Sequence, residues 1–229
     1  MNHFIEALKL VSFSVHKEGY KFIIIFAIAT AFIALFSSAA GLVGIVVTLW
    51  CVFFFRDPSR IVPIEEDILV SPADGIVTRI DYDVEAPEDL GYKDKKFNKI
   101  SIFLNVFNVH VNRVPIGGKI IKTSYRPGKF LSAAAENASS QNERNSVVVK
   151  TKNKTEIIFT QVAGLVARRI VCDVKEEQEV NTGDRFGIIR FGSRTDVYLP
   201  ENVEIKSLVG QTMIGGETII AKFIQKKTK

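Results

Sequence analysis

Hydrophobic and polar residues divide this chain into two regimes that meet at Arg56. Before it, the 34 positions 22–55 carry no charged side chain, well beyond the roughly 20 apolar residues a membrane-spanning helix needs. Ser37, Ser38, Gly41 and Gly44 interrupt the middle of this run, so two short helices in a hairpin compete with one long tilted helix. Lys9, Lys17 and Lys21 flank one side and Arg56 and Arg60 the other, a balance that orients a single span poorly. A hairpin or in-plane anchor would leave both basic flanks on the cytoplasmic face and is the preferred reading. A buried helical pair within a larger assembly is the alternative. The run is too long for a cleaved signal peptide, and residues 51–55 offer no small-residue cleavage site.

Beyond Arg56-Asp57-Pro58 the pattern changes to short β-branched stretches separated by turn residues. Strands are expected at 68–70, 75–80, 100–104, 109–114, 118–125, 146–150, 156–161 and 219–224. Residues 162–171 read as a helix or equally as a strand, and the polar stretch 136–144 as a mobile surface loop or lid. Residues 180–189 look like a tight turn feeding a strand, a pattern also seen in lipoyl and biotinyl modules. It would put Gly192-Ser193 at the far end of a short strand, a position suited to a strained bond. The expected architecture is therefore mainly β (α+β). A hydrophobic helical membrane-associating segment, 1–55, precedes a sandwich-barrel-like β domain, 56–229.

Charge and cysteine content narrow the partners. Thirty Lys and Arg against 25 Asp and Glu give a formal charge of +5, spread along the chain rather than gathered on one module as a nucleic-acid interface would require. Beside a membrane-inserting segment, an anionic phospholipid surface is the more economical partner. Cys51 and Cys172 are the only cysteines. They provide neither a disulfide framework nor a CxxC metal site, which suits a β domain in the reducing cytoplasm.

Three residues could carry chemistry. Asp74 lies in the proline-glycine turn SPADG (71–75), His110 in NVFNVHVNRVP (105–115) and Ser193 in RFGSR (190–194). An acid, an imidazole and a hydroxyl are the parts of an activated nucleophile. A serine after a flexible glycine can also attack the preceding carbonyl and move the acyl group from nitrogen to oxygen. Each residue has a plainer role open to it: Asp74 as the cap of its turn, His110 on the outer face of a strand, Ser193 as an ordinary loop serine.

The phrases FFRDP (54–58), SPADG (71–75), NVFNVHVNRVP (105–115) and FGS (191–193), in this order behind an apolar segment, make the chain similar to the phosphatidylserine decarboxylase family, in its short bacterial and archaeal class. The resemblance runs over nearly the whole chain. It implies a zymogen that cuts itself between Gly192 and Ser193 into a β chain, 1–192, and an α chain, 193–229. Ser193 becomes a pyruvoyl group, the covalent cofactor that forms a Schiff base with phosphatidylserine, so that neither pyridoxal phosphate nor a metal is needed. His110, oriented by Asp74, would take the Ser193 proton and later supply a proton to the substrate. Arg113, Arg194 and Lys129 are candidates to hold the phosphate or carboxylate. The resemblance also implies phospholipid biosynthesis at the cytoplasmic side of the cell membrane, and a homodimer is a reasonable assembly for an exposed β domain.

Two departures from the longer class of the family bear on these roles. Arg113 occupies the position of a second histidine, and Arg194 rather than threonine follows the serine, so one imidazole would serve both cleavage and decarboxylation. A membrane-anchored, non-catalytic binding module is the principal rival. It leaves the company of Asp74, His110 and Gly192-Ser193 unexplained. A serine hydrolase would need Gly-x-Ser-x-Gly, which is absent around Ser193, and a single histidine beyond the N-terminal region, without a cysteine pair, makes a poor metal site.

Overall fold

A computed structural model describes residues 13–93, 95–129, 132, 141–164, 169–190 and 193–224. The chain falls into two compact units, Met1–Ser59 and Arg60–Lys229. In the first, helices α1 (Tyr20–Ala34) and α2 (Ser38–Phe54) form a hairpin. The uncharged run breaks where Ser37 turns extended and its hydroxyl accepts from Ala40 N at 3.3 Å, an N-cap that starts α2. Close approach of the helices depends on glycine: a Cβ on Gly41 would lie 2.7 Å from Ala34 Cβ, and one on Gly44 2.7 Å from Thr30 Oγ1. Thr30 and Thr48 hydroxyls meet at 3.1 Å across that seam. Short strands β1 (Ser14–Val15) and β2 (Arg56–Asp57) pair antiparallel and tie the entrance of the hairpin to its exit.

Among the described residues no helix is long and apolar enough to cross a membrane. At 1.5 Å per residue the 15 and 17 residues of α1 and α2 reach roughly 22 and 25 Å, against about 30 Å of hydrocarbon. The single long span is thus replaced by two shorter helices.

The second unit is mainly β. Its strands are β3 (Ile68–Val70), β4 (Gly75–Glu85), β5 (Lys96–Leu104), β6 (Val111–Arg113), β7 (Gly118–Arg126), β8 (Arg144–Lys150), β9 (Glu156–Ala163), β10 (Ile170–Cys172), β11 (Glu179–Val180), β12 (Arg185–Ile189), β13 (Ser193–Leu199), β14 (Val203–Ile205), β15 (Thr212–Met213) and β16 (Ile219–Phe223). Eight of them make one curled half-barrel sheet in the order β11-β7-β8-β9-β13-β5-β4-β15. Two three-stranded sheets, β10-β12-β6 and β14-β16-β3, accompany it. Alternation along the central strands sends side chains to both faces. Val147, Phe159 and Val197 join the main core, whereas Val148, Ile158 and Tyr198 join a second cluster with Phe97 and Leu90. Burial on both faces explains why these strands read as unbroken apolar runs.

Local departures from the sequence pattern have local causes. The strand expected at 109–114 starts only at Val111, because a turn at 105–108 takes up the preceding residues. Residues 162 and 163 finish β9, Ile170 opens β10, and 165–168 lie outside the described residues. Of the polar stretch 136–144, residues 136–140 also lie outside them, while Arg144 is the buried first residue of β8 rather than part of a loop. Strand β12 stops at Ile189, so Ser193 opens β13 instead of closing the strand before it.

Candidate active site

Ser193 enters β13 between two neighbours, paired with Leu104 of β5 on one side and Ala163 of β9 on the other. It is completely buried. It shares a strand face with Thr195 and Val197, and Val197 belongs to the main core. Its hydroxyl has no hydrogen-bond partner among the described residues. Leaving a buried hydroxyl unpaired costs about 1–3 kcal/mol. Gly192 lies outside the described residues.

The backbone around His110 is fixed by contacts with β12 and β9 and by its own turn. Its carbonyl accepts from Ile189 N at 3.3 Å. Two residues on, Asn112 Oδ1 accepts from Gln161 Nε2 at 2.9 Å, and Gln161 stands directly opposite Thr195. The 105–108 turn is locked by its own asparagines: Asn105 N donates to Asn108 Oδ1 and Phe107 N to Asn105 Oδ1, both at 2.9 Å. The imidazole itself is fully buried, with Nδ1 3.0 Å from the Asn108 carbonyl. A carbonyl oxygen only accepts, so Nδ1 carries a proton.

The turn that carries Asp74 is tied to β6, where Pro72 O accepts from Arg113 N at 2.8 Å. Gly75 makes the turn feasible: its φ is +154°, and a Cβ there would sit 2.2 Å from Phe103 O of β5. The carboxylate of Asp74 is not spent on the imidazole. Arg60 Nη2 donates to Oδ1 at 2.9 Å and Oδ2 at 2.8 Å, and Gly215 N donates to Oδ1 at 2.8 Å. The ring of His110 is oriented by Asn108 O, a different partner from the one expected.

Of the basic candidates, Arg113 is buried and its Nη1 donates to Gly183 O at 3.0 Å. Arg194 is 5% exposed and turned onto Asp196, with Nε 2.8 Å from Oδ1 and Nη2 3.1 Å from Oδ2. Lys129 is exposed, held by backbone bonds to Gln141 and Glu143. Three residues with a hand in this geometry escape sequence reading: Arg60, Asn108 and Asp196. Only Asp196 leaves a signal, because two residues after Arg194 on a strand places both on one face.

Burial is the main force on the titrating groups nearby. It pushes the Tyr198 phenol far up, and the neighbouring Asp196 charge adds to this. A separate cleft of about 420 Å³ is lined by Glu65, Glu66, Asp67 and Glu179 among others and contains none of Ser193, His110 or Asp74. Its carboxylates are the wrong sign for an anionic headgroup.

Comparison with known proteins adds independent observations. The family model described as phosphatidylserine decarboxylase matches residues 47–221, from within α2 to within β16. A phosphatidylserine decarboxylase proenzyme of Rickettsia typhi is 51% identical over 215 residues, covering 94% of this chain and 93% of its own. The proenzyme of Rickettsia felis is 53% identical over 214 residues, covering 93% and 92%.

Proposed function

The chain belongs to the phosphatidylserine decarboxylase family, whose reaction turns phosphatidylserine into phosphatidylethanolamine and carbon dioxide; we propose that it becomes active by cutting itself between Gly192 and Ser193. The observation that carries this reading is the buried, unpartnered hydroxyl of Ser193 in a chain of this family. A buried polar atom without a partner calls for an explanation, and a catalytic role is one that fits a serine at this position.

The proposed steps assign a task to each group. Nε2 of His110 takes the Ser193 proton as Oγ attacks the Gly192 carbonyl, and glycine at that position removes the Cβ that would obstruct attack. The amide C–N bond breaks and an ester to Oγ takes its place. Loss of the residue 193 Cα proton, with departure of the Gly192 carboxylate from Cβ, leaves dehydroalanine. Water then converts it to a terminal ketone and ammonia.

Once formed, the pyruvoyl ketone supplies the electron sink that decarboxylation of an amine-bearing carbon needs. The same imidazole delivers the proton to the substrate Cα. Asp74, gripped by Arg60 and Gly215, acts on the site by holding the Gly75 turn against β5. Lys129 is the exposed basic candidate for the lipid phosphate; Arg113 and Arg194 are committed inward.

The substrate is a membrane lipid, and the hairpin suits delivery to it. Ile24, Ile28, Leu42 and Leu49 are all more than half exposed, and helices of roughly 22 and 25 Å stop short of the about 30 Å of bilayer hydrocarbon. We place the protein on the cytoplasmic side of the cell membrane, with its net charge of +5 favouring an anionic surface.

The test is conversion of phosphatidylserine in mixed vesicles, read as carbon dioxide release and phosphatidylethanolamine formed. Wild-type protein should turn over and Ser193→Ala should not. A Ser193→Ala protein that still decarboxylates the lipid would remove the pyruvoyl mechanism.

A further inference from the structure

Cutting the chain before residue 193 would make the first residue of β13 a chain end, and chain ends fray unless tied down. Residue 193 is the one that must not move, because the reactive carbonyl would stand there. The ladder holds it on both sides, through Leu104 and Ala163, but ladder bonds at a free end are the first to open.

The next residue is secured differently. The Arg194 side chain lies on the opposite face of β13 from Ser193, where two of its nitrogens meet the two oxygens of Asp196 at 2.8 and 3.1 Å. The two side chains are 6% and 0% exposed. Asp196 lies two residues further from the cut, paired with Ser101 of β5 and Thr160 of β9. If the first residues of a cut β13 peeled away, Arg194 would leave and the Asp196 carboxylate would remain buried without this counter-charge. Breaking a buried pair from one side is far costlier than losing an exposed one. The arrangement penalises the one motion that cleavage newly permits.

We propose that Arg194 and Asp196 form a latch that holds the new α-chain terminus, and with it the ketone at residue 193, in the sheet after cleavage. They are positioning residues, acting through the backbone of β13 and touching no substrate. The proposal rests on the reading that the chain cuts itself before Ser193. It gives the arginine following the serine a task other than binding the lipid headgroup.

The experiment compares hydrogen exchange of the 194–199 amides with and without the cut. Arg194→Met is made in the wild-type chain and in the uncut Ser193→Ala chain, with ketone content titrated by a carbonyl reagent and kcat and KM measured on the cut form. The latch predicts that cut Arg194→Met keeps its full ketone content. Its amides at 194–196 should exchange at least about 10-fold faster than those of the cut wild type. Its kcat should fall by a similar factor while KM stays within about twofold. In the uncut background the same substitution should change exchange by less than about twofold. Arg194→Lys, which keeps the charge, should lie between.

Equal effects in cut and uncut chains would make the pair an ordinary fold contact and overturn the proposal, as would an Arg194→Met chain that folds but stays uncut. Should Arg194→Met not fold, Asp196→Asn preserves the shape, removes the charge and carries the same comparison. A wild-type protein found whole, or cut but without ketone, would instead bring down the cleavage reading itself.

Discussion

A fully buried imidazole, held at Nδ1 by a backbone carbonyl, can act as a base through its other nitrogen without reorienting. His110→Ala should therefore leave the chain uncut or, where some is cut, lower kcat by at least about 100-fold; cleavage and turnover at the wild-type rate would end its assignment. Arg60 makes a different prediction. Its pair with Asp74 has side chains only 12% and 15% exposed, so Arg60→Met should cost about 3 kcal/mol of stability, seen in urea unfolding, and an unchanged midpoint and slope would show the clamp to be idle. Ser193 and His110 stood out as candidates by residue type and setting, and their roles came only with the family resemblance. The partner of Asp74 was not, because Arg60 reads in sequence as one more basic flank of the apolar run, and nothing local reports that it folds back onto a turn 14 positions away. The orientation of His110 was missed for a related reason: its partner is a main-chain oxygen, which no side-chain pattern reveals.

Elements were easier to read where one physical cause dominates. The break in the apolar run was visible because serine and glycine cluster there, and the structure uses them as the cap of α2 and as the seam between the helices. The core strands were visible from β-branched runs. The short strand β6 was over-read by three residues, two of them at its start because Val109 and His110 continue the alternation, although the asparagine-locked turn sets the backbone of the preceding residues. At this scale the hairpin carries a prediction. Ile28 and Leu42 are 65% and 64% exposed, and placing lysine at both should weaken binding to anionic vesicles by more than about 100-fold, given the cost of about 2.5–3.5 kcal/mol for a lysine at the hydrocarbon centre. Co-sedimentation equal to wild type would mean that the hairpin does not enter the bilayer.

For the molecule as a whole, acid sensitivity should trace to paired carboxylates. Burial acts to raise the Asp89 carboxyl, but hydrogen bonds from Ser124 and Arg144 and the Arg144 charge outweigh it and leave the group below its ordinary value. A folded-state value lowered in this way contributes stability that is complete above the unfolded value, near about 3.9, and is lost as pH falls through the folded one. Asp89→Asn should therefore lower stability at pH 7 and flatten its decline below about pH 4, measured by urea unfolding across that range; an acid limb identical to wild type would rule out this source. The central claim, however, is that one translated chain becomes two. Its most direct test is the intact mass of the purified protein under denaturing conditions. The account predicts two species that place the break between Gly192 and Ser193, the smaller one blocked to stepwise N-terminal degradation and bearing a ketone in place of the serine amine. A single uncut species with an unmodified Ser193 would contradict it.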